Sequence, residues 1–403
     1  RTVVFLLSQP YAPFLGNTTM GIMPKHIWEN VEVGQFAFSK FNTEPVGTGP
    51  YKIANIKRNR EGIPEYYDLV SFKNFALGKP FIPKIRIKFY SNQEKLLKAL
   101  GSGDIESVNS ISPKIAINLE DDNYKVERSP LPRVFGVFLN QDEADVFTDI
   151  LVRKALNVSA PKTRIVTEVL STFGTVVDGP IPPGILGFLP AKSAETPYRD
   201  RLKVARDALK RAGFELDEET GKLVDSDGQV LSFSISTSDV PELKASAQIL
   251  KEAWEGLGMD VTLKVFESGN LNRTVIRPRD YDALLFGEII GRDSDPFAFW
   301  HSSQRLDPGL NIALYTSISV DGLLEDARTT TEPDARLQKY LSFQKEIADD
   351  IPAVFLYAPD FIYVTPSKIS GLDITSVTIP SERFLNIYNW FIDTDRVWKF
   401  FTN

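Results

Sequence analysis

The 403-residue sequence contains no cysteine. Disulfides, thiolate nucleophiles and cysteine metal ligands are therefore all excluded. Histidine is nearly absent as well: only His26 and His301 occur, with three methionines, so direct transition-metal ligation is poorly supplied. No HExxH pair, Walker-type lysine loop or GxSxG elbow is found. Gly47-Thr48-Gly49-Pro50 lacks the third glycine of a dinucleotide loop and reads as a turn. Gly101-Ser102-Gly103 reads as a helix stop rather than a phosphate cradle. No run approaches the ~20 apolar residues of a membrane span. No export signal is seen, and Arg1–Leu7 reads as the inside of a strand. The expectation is an incomplete chain, with any export signal or lipid-anchor cysteine outside it. The net charge of −7 argues against a general nucleic-acid binder.

What is present is the composition of a globular protein too long for one ordinary core, so two or three lobes are expected. Lys84, Arg86 and Lys88 alternate with Ile85, Ile87 and Phe89, which predicts a half-buried strand. A short helix with Leu96, Leu97 and Leu100 on one face follows. Amphipathic helices are predicted over 201–212 and 242–257, each ended by a glycine, with a strand over 261–265. Pro333 suits a first helical turn, and Val354–Val364 returns to strand character. Strands and helices alternate through 84–290, so the class is α/β. Breaks at Ser129–Pro132 and Asp349–Pro352 divide the chain into 1–130, an inserted block 131–354, and a return over 355–403. Such an insertion makes the chain cross twice between lobes, which is how a hinge is built.

The stretch 281–302 is the most suggestive. An apolar run ends in Gly287, Glu288 and Ile289, and then comes the charged loop Gly291-Arg292-Asp293-Ser294-Asp295-Pro296. Phe297, Phe299 and Trp300 follow at once. A strand that ends in a charged loop beside aromatics can line a ligand cleft. Asp293 could meet a ligand ammonium there, and Asp295 before Pro296 suits a helix start. Trp300 is read as a ligand platform or a core residue, and His301 as structural. Asn311 could bond a ligand amide, or serve a turn. The many carboxylates leave a carboxylate-pair glycoside hydrolase as the alternative from another class.

Four segments, in order and spacing, resemble the oligopeptide/dipeptide/nickel class of extracytoplasmic solute-binding proteins, family 5, of ABC importers. They are Pro45–Tyr51, Ala99–Ile105, Val152–Asn157 and Gly291–Pro296. Tyr11–Leu15, Ile22–His26, Gly78-Lys79-Pro80, Phe138–Asn140 and Gly179–Gly184 add to the likeness. The resemblance implies a two-lobe periplasmic-binding-protein-like fold (type II, cluster C) with a ligand cleft between lobes, and no catalysis. It also implies a monomer outside the cytoplasm, with an oligopeptide as ligand, permease subunits as partners, and no cofactor. The alternative ligand is a sugar or metal chelate. The ligand-binding residues it suggests are Gly287, Glu288, Ile289, Arg292, Asp293, Trp300 and Asn311. In peptide-binding members an aspartate in this loop holds the peptide amino terminus. Equal spacing puts Arg292 at that position here, and Arg292 would attract an anionic ligand group instead. The resemblance further implies that the family's N-terminal portion is largely absent from this chain.

Overall fold

A computed structural model describes residues 2–120, 123–193, 195–291, 293, 295–375 and 377–392. The chain divides into two compact units. The larger holds Pro130–Asp360 together with the chain start up to Thr18, and the smaller holds Thr19–Ser129 and the chain from Phe361 on.

The larger unit is built on a mixed sheet. Its strands lie in the order Asp260–Phe266, Ser232–Ser238, Ala283–Ile289, Arg133–Leu139 and Ala353–Pro366. The first three are mutually parallel, whereas 133–139 runs antiparallel to both of its neighbours. Helix Pro241–Glu255 makes the crossover between the 232–238 and 260–266 strands that a parallel pair requires. Proline occupies the first turn of this helix, where its missing N–H costs nothing.

Burial follows the two-residue period of the strands. Val137, Leu139, Ala283, Leu285, Val354 and Leu356 face one apolar cluster, with helices Ile150–Ser159, Tyr198–Arg211 and 241–255. Val134, Phe138, Leu284, Ala353 and Phe355 face the other, with helices Phe297–Trp300, Ile318–Thr329 and Pro333–Asp350. Helices on both faces of one sheet make this unit a three-layer α/β domain, and the near-continuous apolar character of its strands follows from burial on both sides.

The smaller unit contains the antiparallel sheet Tyr51–Arg58, Pro64–Ser71 and Lys84–Lys88. The predicted alternation over 84–88 is present, with Ile85 and Ile87 on the more protected side. Helix Gln93–Gly101 starts at Asn92, whose side chain accepts from the Lys95 N–H. It closes at Gly103, whose φ of +72° is the left-handed conformation that glycine adopts freely. The second half of the 353–366 strand belongs to this unit and pairs with Val108–Asn109.

One expectation fails. Residues 2–7 form no strand, and Val3, Val4, Phe5 and Leu6 are exposed. Apolar, β-prone residues make a strand only when a neighbour supplies the ladder of hydrogen bonds, and among the described residues no strand pairs with them.

Candidate functional site

The 283–289 strand carries the site. On one side it pairs with 133–139 along its whole length, from Ala283–Leu139 to Ile289–Arg133. On the other side pairing with 232–238 stops early, after Ile235–Ala283 and Ser236–Leu284. A hydroxyl extends it by one step: Thr237 Oγ1 donates to the Leu285 carbonyl at 3.0 Å. Beyond that point no strand pairs with this side of the 283–289 strand among the described residues.

Antiparallel pairing sends the backbone groups of alternate residues to opposite sides. Ile290 N–H reaches the Pro132 carbonyl on the paired side, and the Leu285 carbonyl faces the side of the 232–238 strand. Gly287 and Ile289 therefore direct their N–H and C=O groups toward the unpaired side. Gly287 is glycine for a steric reason: a Cβ there would lie 2.6 Å from the ring of Phe135, which stacks on Tyr357 at 5.2 Å.

Glu288 points to the opposite face from Gly287, into the second apolar cluster. Only 1% of it is exposed. Its Oε2 accepts from Trp300 Nε1 at 3.2 Å, and its Oε1 has no partner among the described residues. Desolvation holds the Glu288 carboxyl well above the usual carboxylate range, against the opposing Trp300 hydrogen bond. Trp300 is fully buried, packed edge-on or tilted against Phe138, Tyr315, Phe343 and Phe355. It acts as a core residue that fixes the Glu288 side chain.

A cavity of about 230 Å³ adjoins this strand. Phe286, Gly287, Glu288, Phe299, Leu310 and Ile312 line it, with Asn272, Arg277, Arg279 and Asp307 as its polar lining. Arg279 is held by three backbone carbonyls: Nε donates to Arg305, Nη1 to Ile276 and Nη2 to Gly309, at 2.7–3.0 Å. Arg277 is 65% exposed, and its nearest carboxylate is Asp307 at 3.8 Å.

Asp293 forms an ion pair with Arg336 at 3.0 Å. Asn311 is fully buried; its amide donates to the His301 and Tyr315 carbonyls and accepts from Tyr315 N–H, so its bonds are internal. Arg292 lies outside the described residues. Asp295, one residue ahead of the Pro296 N-cap, accepts from Phe297 N–H at 3.4 Å and is also gripped bidentately by Arg328. Glu288 thus meets Trp300, Gly287 and Ile289 face the other side of the same strand, and Asp293 and Asn311 are engaged with their own chain. Arg277, Arg279 and Asp307 carry no sequence signal of a site, because separate loops bring them to one cavity.

The larger unit thus combines a mixed sheet, helices on both of its faces and a strand edge beside a cavity. Comparison with known proteins specifies the class. A family model of bacterial extracellular solute-binding proteins, family 5 middle, matches residues 1–307, and the chain belongs to that family. It is 26% identical over 396 residues to the oligopeptide-binding protein AppA of Bacillus subtilis, covering 97% of this chain and 70% of the relative. It is 26% identical over 379 residues to the probable D,D-dipeptide-binding periplasmic protein DdpA of Escherichia coli, covering 92% and 68%. Among solved structures, NikZ from Campylobacter jejuni in complex with Ni(L-His) superposes with a TM-score of 0.71 at 25% identity, covering 95% of this chain and 75% of that one. The ABC transporter substrate-binding protein CtaP from Listeria monocytogenes shares the fold at a TM-score of 0.80 and 20% identity, covering 96% and 75%. The chain thus spans about two thirds to three quarters of the length of these relatives. Among the described residues no helix is long and apolar enough to cross a membrane.

Proposed function

We propose that this protein captures an oligopeptide outside the cytoplasm, as a monomer, and hands it to the permease subunits of an ABC importer. The observation that carries the reading is the unpaired side of the 283–289 strand. There Gly287 and Ile289 offer backbone donors and acceptors that no strand of the larger unit uses. An extended peptide laid along that edge gains main-chain hydrogen bonds that do not depend on its sequence. Such binding tolerates many side chains, which suits a general scavenger. The names of AppA and DdpA point to the same ligand class.

Among the residues singled out from the sequence, Gly287 and Ile289 supply the edge and Glu288 the adjoining cavity wall. Arg292 and Asp293 stand in the loop that follows, where a charged peptide terminus would end. The two compact units are proposed as the lobes that hinge closed on the ligand, with the ligand's differential contacts driving the shift. Titration calorimetry with tetra- to nonapeptides tests the reading. A set whose alternate amides are N-methylated should lose binding when the methylated positions face Gly287 and Ile289, and keep it in the other register. Equal binding of both registers, or turnover of any peptide, would sink it.

A further inference from the structure

The loop that follows the 283–289 strand is held by side chains rather than by its own backbone. Ile290 N–H makes the last ladder bond, to the Pro132 carbonyl at 3.0 Å. Beyond it, among the described residues, Gly291, Asp293 and Asp295 form no backbone–backbone hydrogen bond. Two arginines take over. Arg336, on helix 333–350, pairs with Asp293. Arg328, on helix 318–329, grips Asp295 through Nε at 3.0 Å and Nη2 at 2.9 Å. A two-pronged grip fixes direction as well as distance. The Arg328 guanidinium also lies 3.6 Å from the centre of the Phe297 ring. His301 stacks on that ring at 4.1 Å, and two groups so close to one ring centre must occupy its opposite faces. His301 Nε2 stands 3.4 Å from Glu325, and Ser302 N–H donates to Asp321 at 2.8 Å. Asp321, Glu325 and Arg328 recur at helical spacing, so one face of helix 318–329 braces the stretch from Asp295 to Ser302. The Arg328 carbonyl in turn accepts from Ala12 N–H at 2.7 Å, which ties the start of the chain to the same brace.

We propose that Arg328 is a positioning residue for peptide capture: through Asp295 it presets the loop at the open end of the 283–289 strand, and Arg336 assists through Asp293. The proposal rests on the peptide reading above and deepens it. A peptide laid along Gly287 and Ile289 runs out over this loop, so a loop that wanders leaves the end of the edge unshaped for part of the time. Binding then takes place only in the competent fraction, and the apparent dissociation constant rises by the inverse of that fraction. When the loop exchanges quickly, the loss falls on the association rate. Dissociation starts from the ordered complex and is unchanged. A residue that touches the ligand does the reverse, since losing its contact speeds dissociation. A residue that only stabilises the fold alters neither rate while the protein stays folded.

Surface plasmon resonance on the immobilised full chain, well below its melting temperature, separates the three cases. The probes are tetra-alanine and a nonapeptide of alternating alanine and serine. Arg328→Met keeps an unbranched side chain against Phe297 but loses the grip on Asp295. It is expected to lower the association rate about fivefold or more, with the dissociation rate unchanged. Arg328→Lys restores the charge without the fork and should recover part of that loss. Asp295→Asn keeps an acceptor for Phe297 N–H and should act in the same direction as Arg328→Met. The double variant should lose less than the product of the two single effects, because both act through one contact. If Arg328→Met does not fold, Arg328→Lys and Asp295→Asn carry the same test. A lowered melting temperature with both rates unchanged overturns the proposal, as does faster dissociation at unchanged association. Fully multiplicative losses in the double variant overturn it too, since Arg328 would then act other than through Asp295. A parent protein that binds neither peptide overturns the peptide reading, and the role of Arg328 with it.

Discussion

Glu288 makes the stability of the native state depend on pH. Its carboxyl is raised well above 4.5 by burial. A raised acid binds its proton more tightly when folded than when unfolded. Stability therefore falls as pH climbs from the unfolded value toward the folded one, by about 1.4 kcal/mol for each unit of separation. Glu288→Gln removes this dependence. Its melting temperature is expected to exceed that of the parent at pH 8, with the difference narrowing toward pH 4, as read by scanning calorimetry. Gly287→Ala acts through packing instead. The added methyl would meet the Phe135 ring at 2.6 Å. A cost of about 1–3 kcal/mol is expected from denaturant titration, as for other overpacked sites. The sequence shows Gly287, Glu288 and Ile289 as the end of an apolar run beside a charged loop. It does not show that Glu288 is buried under Trp300 or that Asn311 bonds inward, since both follow from contacts between segments far apart in the chain.

Elements were more legible than contacts. The helix predicted over 242–257 is Pro241–Glu255, and the strand predicted over 261–265 is Asp260–Phe266. In each the apolar period and a terminal glycine or proline agree, and local preference decides the outcome. Residues 2–7 misled for the opposite reason: they have strand composition but no pairing strand among the described residues, and pairing is not a local property. The unpaired side of the 283–289 strand is invisible to periodicity for the same cause. Thr237 marks its limit, because its hydroxyl takes the last carbonyl before the two strands part. Thr237→Val should leave that carbonyl, at Leu285, without its donor. It is expected to cost about 1 kcal/mol in denaturant titration, as for loss of one buried hydrogen bond.

The molecule as a whole divides into two compact units, and its unfolding should show both. Proteins with more than one domain commonly depart from two-state behaviour. Scanning calorimetry is expected to resolve two transitions, with peptide moving the one that belongs to the larger unit, which owns the open edge. At a hundredfold excess over its dissociation constant a peptide should add about 2.7 kcal/mol to that transition. A single transition that ignores every peptide would contradict the assignment. The break near Ser129–Pro132 has prolines to mark it in the sequence. The return crossing, between Asp360 and Phe361, lies within a continuous strand, so that Pro359 just before it does not read as a break.

That shared strand bears on how the gene can be cut. Residues 353–358 close the sheet of one unit, and 363–364 build that of the other. A fragment ending at residue 360 would break the strand midway, and the remainder would begin with a frayed, apolar stub prone to aggregate. Opening this protein for reporter or biosensor work is better done at the 218–221 turn, whose residues are exposed, which leaves the common strand whole.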